Sequence, residues 1–506
     1  HCAERLVNKM SESKKYKFYA SGYGDAGASH IKRALKGFNS RSTAPTEDID
    51  ENNLTLRQRG RMLYMASPVA TSAINTNRTK IVGTGLHMRC APDRSVLGLS
   101  EKTAKEWQRR TETEFRMWAE STKCDALGLN DFYGLEQLIV KSWLMSGDVF
   151  VLLKHGKTEQ MSPYSLRLHI IEADRISTPT DTHKYAVPLS TEGVNPDNGN
   201  KIHDGVEVDG SGRVVAYHIR NTYPYQRTSE PTTWQRIPVF GERTGLPNIL
   251  HIYDAERPDQ YRGVSYLAPV IEPLLQLRRY TESELMAALI QSFFTAWITT
   301  QTPQSQIPFN ETGAGDIAGF DGDGEGNDTV TGEVSAHENE YEMGPGTVNH
   351  LADGENITFG SPNIPTAGFD LFTKEITKLI GSGLEIPYDV LTKEFNSSYS
   401  AAKGALEEAW ESFKMRRSWL VNRFCRPVYE AWLCEAVALG RIKAPGFFDD
   451  PLTRFAWSGA RWDGPAQTHL DPVKEAKANE ILVMHGWKTN EQITREYYGG
   501  NYAENK

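Results

Sequence analysis

The chain has 506 residues and a mass of 56.8 kDa, with 39% hydrophobic and 24% charged residues. That is ample for packed cores and long enough for about three domains, and it excludes wholesale disorder. The 56 Lys and Arg against 65 Asp and Glu leave a net charge of −9, which excludes a polybasic nucleic-acid coat or membrane binder.

The five cysteines, Cys2, Cys90, Cys124, Cys425 and Cys434, are scattered and form no CxxC pair, so neither a disulfide framework nor a zinc site is expected. The longest apolar run, Leu285 to Thr300, is interrupted by Gln291, Ser292 and Thr295 and is too short for a membrane span. No signal sequence opens the chain, and a first residue of His1 points to a trimmed or processed start. A soluble protein folded in a reducing cytoplasm is the expectation, with no membrane partner and no cofactor.

In chain order, residues 1–55 read as a polar, loosely held arm with Lys32, Arg33 and Lys36 as a basic stretch. Helical pattern follows from Leu54 to Cys90, ended by Gly83 and Gly85, then helices over about 101–120 and 131–145. The segments 148–154 and 166–172 are strand-like, and 205–219 predicts a hairpin turning through Asp209-Gly210-Ser211-Gly212. A long helix over 264–298 carries Leu274, Leu277, Leu285, Leu289 and Phe293, and a Gly-, Asp- and Asn-rich insertion fills 299–365. A short helix over 366–382 stops at Gly381 and Gly383, and a turn-rich segment over 384–399 leads to a second long helix over 400–440. Pro427 lies inside that last pattern and predicts a kink, because it removes a hydrogen bond four residues back. The tail to Lys506 reads as mostly helical and polar, and the fold class is α+β.

From Tyr280 through Thr373 there is no Lys or Arg, yet the stretch holds 15 acids, so the rest of the chain is net +6. Either this is an acidic, solvated insertion, or a surface that meets a basic partner or repels a polyanion. Its acidic channel candidates are Glu311, Asp316, Asp321, Asp323, Glu325 and Asp328.

Motifs for catalysis are wanting. His155-Gly156-Lys157-Thr158 is half a phosphate loop, but Val151 occupies the first glycine position and β pattern follows. The run Asp321–Asp328 imitates a calcium loop, but Gly332 stands where a bidentate Glu is required. No HExxH or GxSxG occurs, and His337–Glu340 reads as a solvated tract, so neither a metal site nor a catalytic site is assigned. Lys414, Arg416, Arg417, Arg423 and Arg426 on the kinked helix read as a solvated face paired with Glu407, Glu408 and Glu411, or else as a surface facing nucleic acid.

Residues 369–420 resemble the signature stretch of lambda-family phage portal proteins: a helix, a small-residue turn matched by Ile386, Pro387 and Tyr388, then Ser398, Tyr399, Ser400, Ala401 and Ala402 opening the next helix. Similar phrases occur at 75–89, 170–179, 209–219 and 257–271, in the family's order, and the resemblance covers roughly residues 55 to 490. Two departures stand out: Glu385 replaces the family's usual small residue, and 299–365 matches no family phrase.

The resemblance implies a portal fold: an arm (1–55), an α+β wing (56–263), stem helices (264–298 and 366–383), a clip (299–365), a tunnel loop (384–399), a long kinked helix (400–440) and a helical crown (441–506). It implies a ring, usually of twelve copies, at one capsid vertex, assembled in the host cytoplasm. Double-stranded DNA would be packaged through it by the terminase large subunit and later ejected. The remaining partners would be the major capsid protein and scaffold, and head–tail connector proteins. Lys374, Lys378, Lys393 and Lys403 flank the implied tunnel loop and become candidates for phosphate contact, unless they pair with acids such as Glu375, Glu385 and Glu394. A conduit of this kind is not an enzyme. The alternatives are a head–tail adaptor ring or another phage DNA-processing protein.

Overall fold

The computed structural model describes residues 33–35, 37–38, 42–158, 162–179, 192–292, 296–300, 355–359, 368–394, 398–467, 472–498 and 502. The chain forms two compact units rather than three. One is built from residues up to Ala66, Ile74–Ala268 and the chain from Trp410 onward, and the other from Ser67–Ala73 and Pro269–Ala409.

Helix α1 (Glu51–Ala66) of the first unit and α2 (Pro68–Ile81), which belongs to that unit from Ile74 onward, replace the single helix expected from Leu54 to Cys90. Pro68 suits a helix start, where its missing N–H costs nothing. After the left-handed Gly83, the chain turns into β1 (His87–Cys90). The short α3 (Arg94–Leu97) precedes α4 (Glu101–Ala119), capped by Ser100, and α5 (Phe132–Ser146), capped by Asp131, close to the expected bounds. The arm is shorter than expected: Thr46–Asp50 form a π turn running into α1, and Ile49 and Asp50 are buried. Arg257 ties that turn down by bonding Asp48 and the Thr43 carbonyl.

Strand β2 (Asp148–His155) lies between β3 (Leu166–Glu172) and β9 (Ile249–Tyr253) in an antiparallel sheet. Its first six residues are buried, which explains an unbroken apolar run rather than an alternating one. A five-stranded antiparallel meander holds β4 (Glu192–Val194), β5 (Lys201–His203), β6 (Val206–Val208), β7 (Val214–Arg220) and β8 (Trp234–Pro238). The expected hairpin is β6–β7, its turn held by the Asp209 carboxylate, which accepts from the Ser211 and Arg213 amides. Phe150, Ile171, Val206, Tyr217 and Ile249 belong to one core cluster drawn from both sheets.

A second core is aromatic. The Phe115 ring centroid lies 5.1 Å from Trp432, 5.7 Å from Phe132 and Tyr429, and 5.9 Å from Trp462, in edge-on contacts that suit ring quadrupoles. The C-terminal partners arrive on α10 (Arg426–Ala438) and β12 (Ala460–Asp463), and β12 pairs antiparallel with β1. The tail, read as mostly helical, therefore contains a strand that completes the first unit. Around it lie α11 (Pro451–Trp457), α12 (Pro472–Met484) and α13 (Asn490–Ile493).

Buried ionisable side chains of this unit gather around Arg262 and around Glu136. Arg262, fully buried, donates to Asp148 Oδ2 (2.6 Å), Asp204 Oδ2 (2.7 Å) and the Ile176 and Ala173 carbonyls. Arg57 donates to the same Asp204 (3.0 Å). Glu136, also fully buried, accepts from the Leu86 N–H (2.7 Å) and the Cys425 thiol (3.4 Å).

In the second unit, α6 (Ile271–Ser292) starts later and stops sooner than the helix expected over 264–298. Residues beyond it form β10 (Ala296–Thr300), paired antiparallel with β11 (Glu355–Phe359). The run Ala-Trp-Ile-Thr-Thr is aromatic and β-branched, and that preference prevails over helix. The next helix is α7 (Phe369–Gly383), whose Phe369 stacks on Tyr280 of α6 at 5.5 Å. The turn-rich segment contains α8 (Tyr388–Thr392), followed by α9 (Tyr399–Leu420).

Between α9 and α10, α-type bonding gives way to a π turn over Val421–Cys425, immediately before Pro427. The wider turn brings the proline, which lacks an N–H, into the first turn of α10. Of the basic residues here, Lys414 pairs with Glu411 (2.6 Å). Arg416 is buried, bonding Asn77 Oδ1 (3.0 Å) over the Tyr266 ring. Arg417 donates to the Ile81, Lys80 and Pro465 carbonyls, satisfying the orphaned end of α2. Arg423 lies over Tyr253. Arg416 and Arg417 are thus committed inside the fold and do not form a DNA-facing surface.

Candidate channel segment

The segment that carries the lysine candidates is α7, its C-terminal turn, α8 and the start of α9. The turn is a Schellman closure: the Ile386 N–H donates to the Gly381 carbonyl (2.9 Å) and the Glu385 N–H to the Ser382 carbonyl (3.3 Å). Ile380, Leu384 and Ile386 are buried beneath it. A Cβ at Gly381 would stand 2.6 Å from the Ile386 oxygen, so the close approach requires glycine. The Ser72 hydroxyl fixes the following helix by donating to the Leu391 carbonyl (2.7 Å).

Glu385 adopts a left-handed backbone, φ +53°. That accounts for the small residue the family resemblance favours here, since a side chain in this region costs about 1–2 kcal/mol. Replacing Glu385 with Gly is expected to raise the unfolding free energy by up to about 1 kcal/mol, after the extra entropy of glycine in the unfolded chain is deducted. Urea denaturation reads this directly, and a less stable variant would mean that the contacts of Glu385 outweigh the backbone cost.

The four lysines are not equivalent. Lys374 bonds Asp370 (2.8 Å), and that bond, with the nearby Glu394 carboxylate, raises its pKa. Glu394 in turn accepts from the Tyr388 hydroxyl (3.4 Å), so α7 and the loop after α8 meet at this point. Lys378 pairs with Glu375 (2.6 Å), and Lys403 lies 3.8 Å from Glu407. Lys393 is exposed, sits in the left-handed region at φ +62° just after α8, and forms no ion pair among the described residues. The acidic candidates Glu311, Asp316, Asp321, Asp323, Glu325 and Asp328 lie outside the described residues.

Sequence reasoning missed one feature. Leu274 and Leu277 are buried as expected, but Leu285, Met286 and Leu289 of α6 are mostly exposed, as are Leu371 and Leu379 of α7. The available signal was that α6 is apolar on more than one face.

Among the described residues no cluster of three or more His, Cys, Asp or Glu could hold a metal, and no helix is long and apolar enough to cross a membrane. Cys90, Cys124, Cys425 and Cys434 are all free and buried.

The model of the lambda family of phage portal proteins matches residues 32–417. The chain belongs to that family. As a portal protein it is a structural component of the phage virion, with a channel role in DNA packaging and a connector role at the head. It is 24% identical over 504 residues to portal protein B of Escherichia phage lambda, covering 96% of this chain and 88% of the relative. To the portal protein of Escherichia phage N15 it is 23% identical with the same coverage. Among solved structures, a chain from the neck of a native GTA particle computed with C12 symmetry matches at 12% identity and a TM-score of 0.42, covering 88% of this portal protein and 92% of that chain. One from the neck of an empty GTA particle, computed with C6 symmetry, matches at 13% identity and 0.46, with the same coverage.

Proposed function

We propose that this portal protein closes into a ring of twelve copies at one capsid vertex and conducts double-stranded DNA inward during packaging and outward during ejection. The terminase large subunit supplies the drive, the major capsid protein and scaffold seat the ring, and connector proteins dock on it later. The observation that carries the ring is the apolar surface of α6 and α7, where Leu285, Met286, Leu371 and Leu379 are more than half exposed among the described residues. Exposed apolar residues in this number on neighbouring helices mark a protein interface, and a head-to-tail contact that closes gives a ring.

In this reading α6 and α7 form the stem, the chain between them the clip, and 384–399 the tunnel loop. The wing gains β12, which moves the start of the crown to α12. Fifteen acids between Tyr280 and Thr373 multiply to about −180 formal charges in twelve copies. An acidic wall repels the phosphate backbone within a Debye length of about 8 Å and lets the duplex slide, whereas basic walls would bind it by releasing counterions. Lys393 is the exception, an exposed cation free to touch phosphate.

The native mass of the purified protein, with end-on electron micrographs, tests the ring. Particles near 680 kDa, twelve times 56.8 kDa, with a central hole are expected. A compact dimer that hydrolyses nucleotide or cuts DNA would overturn the reading. Lys393→Glu is expected to lower retention of packaged DNA severalfold while leaving the ring mass unchanged. Unaltered packaging and retention would remove Lys393 from the channel.

A further inference from the structure

The first unit carries two exposed apolar surfaces that the channel does not use. One is the tip of the α4–α5 loop, where Leu127 is 62% and Leu129 74% exposed. This loop is stiff. The carboxylate of Asp125, itself 5% exposed, accepts from the amides of Leu127 (3.0 Å), Leu129 (3.1 Å) and Asn130 (3.1 Å). The Ala126 N–H is bonded to the Leu168 carbonyl (2.8 Å), and Gly128 supplies the left-handed step between the two leucines. A loop so braced holds two leucines in water and loses little entropy on docking.

The other surface is on α11 and the turn before it. Phe448, Leu452 and Phe455 follow i, i+4, i+7 spacing and are 61%, 60% and 71% exposed, and Val96 of α3, which packs against α11, is exposed too. The two surfaces lie towards opposite ends of α4. Trp107, in its first half, packs on Trp457 of α11 at 4.8 Å, and the loop follows its last residue, Ala119. The twelve helical steps from Trp107 to Ala119 span about 18 Å.

We propose that these are the two halves of one contact between neighbouring subunits: the Leu127–Leu129 tip of one copy seats on the Phe448–Leu452–Phe455 face of the next. The inference rests on the ring reading above. A ring is built from a head-to-tail contact, which needs two different, complementary patches on the same chain. Here one is a narrow rigid projection and the other a helix face. Their rims are also opposite in charge: exposed Lys123 stands beside the leucine tip, and exposed Asp449 and Asp450 border the aromatic face. A projection fixed by its own hydrogen bonds meeting a fixed helix is the arrangement expected of an interface anchor.

The test uses two full-length variants in a Cys2→Ser background, one with Leu129→Cys and one with Leu452→Cys, mixed and treated with a short bis-maleimide after assembly. Covalent dimers that form only in the mixture, and only in the ring fraction, are expected. The double variant Leu127→Asp/Leu129→Asp should raise the protein concentration at half-assembly at least tenfold, and the added Asp449→Lys change, which leaves the Asp450 cap of α11 in place, should recover part of that loss. Rings that form normally but give no mixed cross-link would overturn this contact and leave the ring reading intact. Absence of rings at any concentration would overturn both.

Discussion

Replacing Arg262 with methionine is expected to lower the unfolding free energy by about 3–5 kcal/mol, the cost of breaking a buried ion pair by removing one partner. The guanidinium is fully buried, and four of its contacts are to Asp148, Asp204 and the Ile176 and Ala173 carbonyls. Burial alone would push the Asp148 carboxyl up. The Arg262 and Arg57 charges, with bonds from His251 and Arg262, instead hold it far below the usual range. Without Arg262, Asp148 must either stay charged in a dry site or take up a proton. His251 offers little help, because burial pulls its pKa down to about 4.

The sign in pH follows. With Asp148 depressed in the fold, its contribution is present above the ordinary carboxylate range and is lost as pH falls through the folded value. Urea denaturation at pH 7 and fixed protein concentration reads the loss, and a change under about 1 kcal/mol would show that the network is replaceable. Arg262→Lys should be intermediate, since an ammonium keeps the charge but not the fork of donors that spans two aspartates.

Glu136→Gln is expected to act in the opposite direction and to do so at alkaline pH. Burial pushes the Glu136 carboxyl up to about 8, opposed by the Leu86 amide and the Cys425 thiol. The folded chain therefore holds a proton that the unfolded chain releases. Stability from this group falls as pH rises from the ordinary value near 4.5 towards 8, and the penalty is complete above 8. Glutamine has the same shape and can still accept from Leu86, so the variant should be close to wild type at pH 5 and more stable by a few kcal/mol at pH 9. Thermal melts across that range decide it, and parallel curves for the two proteins would refute the assignment. A smaller slope of the same sign should survive in the variant from Asp50, whose carboxyl is raised to about 7 by burial and by the neighbouring Asp204.

The elements legible in the sequence are those fixed locally. Helices α4 and α5 announce themselves by apolar spacing, and the β6–β7 hairpin by Asp209 to Gly212. Strand β1 does not stand out from the helical pattern before it, because its partner among the described residues, β12, lies at the other end of the chain, where no window of local pattern reaches it. The end of α6 is hidden for a related reason: Ala296–Thr300 becomes a strand by pairing with Glu355–Phe359, more than fifty residues further on, near the end of the insertion.

The channel segment was legible as a motif but not as geometry. The Ile386-Pro387-Tyr388 turn marks its position, yet nothing in the pattern gives the left-handed Glu385 or separates Lys393, which has no ion pair among the described residues, from the paired Lys374 and Lys378. Exposure is the hardest to read, because Leu285 and Leu289 have the spacing of core residues yet are more than half exposed among the described residues.

The pairing of His87–Cys90 with Ala460–Asp463 also fixes when this protein can mature. A ribosome adding 5–20 residues per second needs about 20–75 s to make the intervening chain. Throughout that time β1 lacks its neighbour, and Phe115 lacks Trp462 and, for most of it, Tyr429 and Trp432 as well. The unit built from Pro269–Ala409 is complete in sequence before the first unit can close. Nascent chains thus expose an unfinished aromatic core until residues 460–463 have been made, and chains ending before residue 460 are expected to be cut more readily in limited proteolysis than the whole chain.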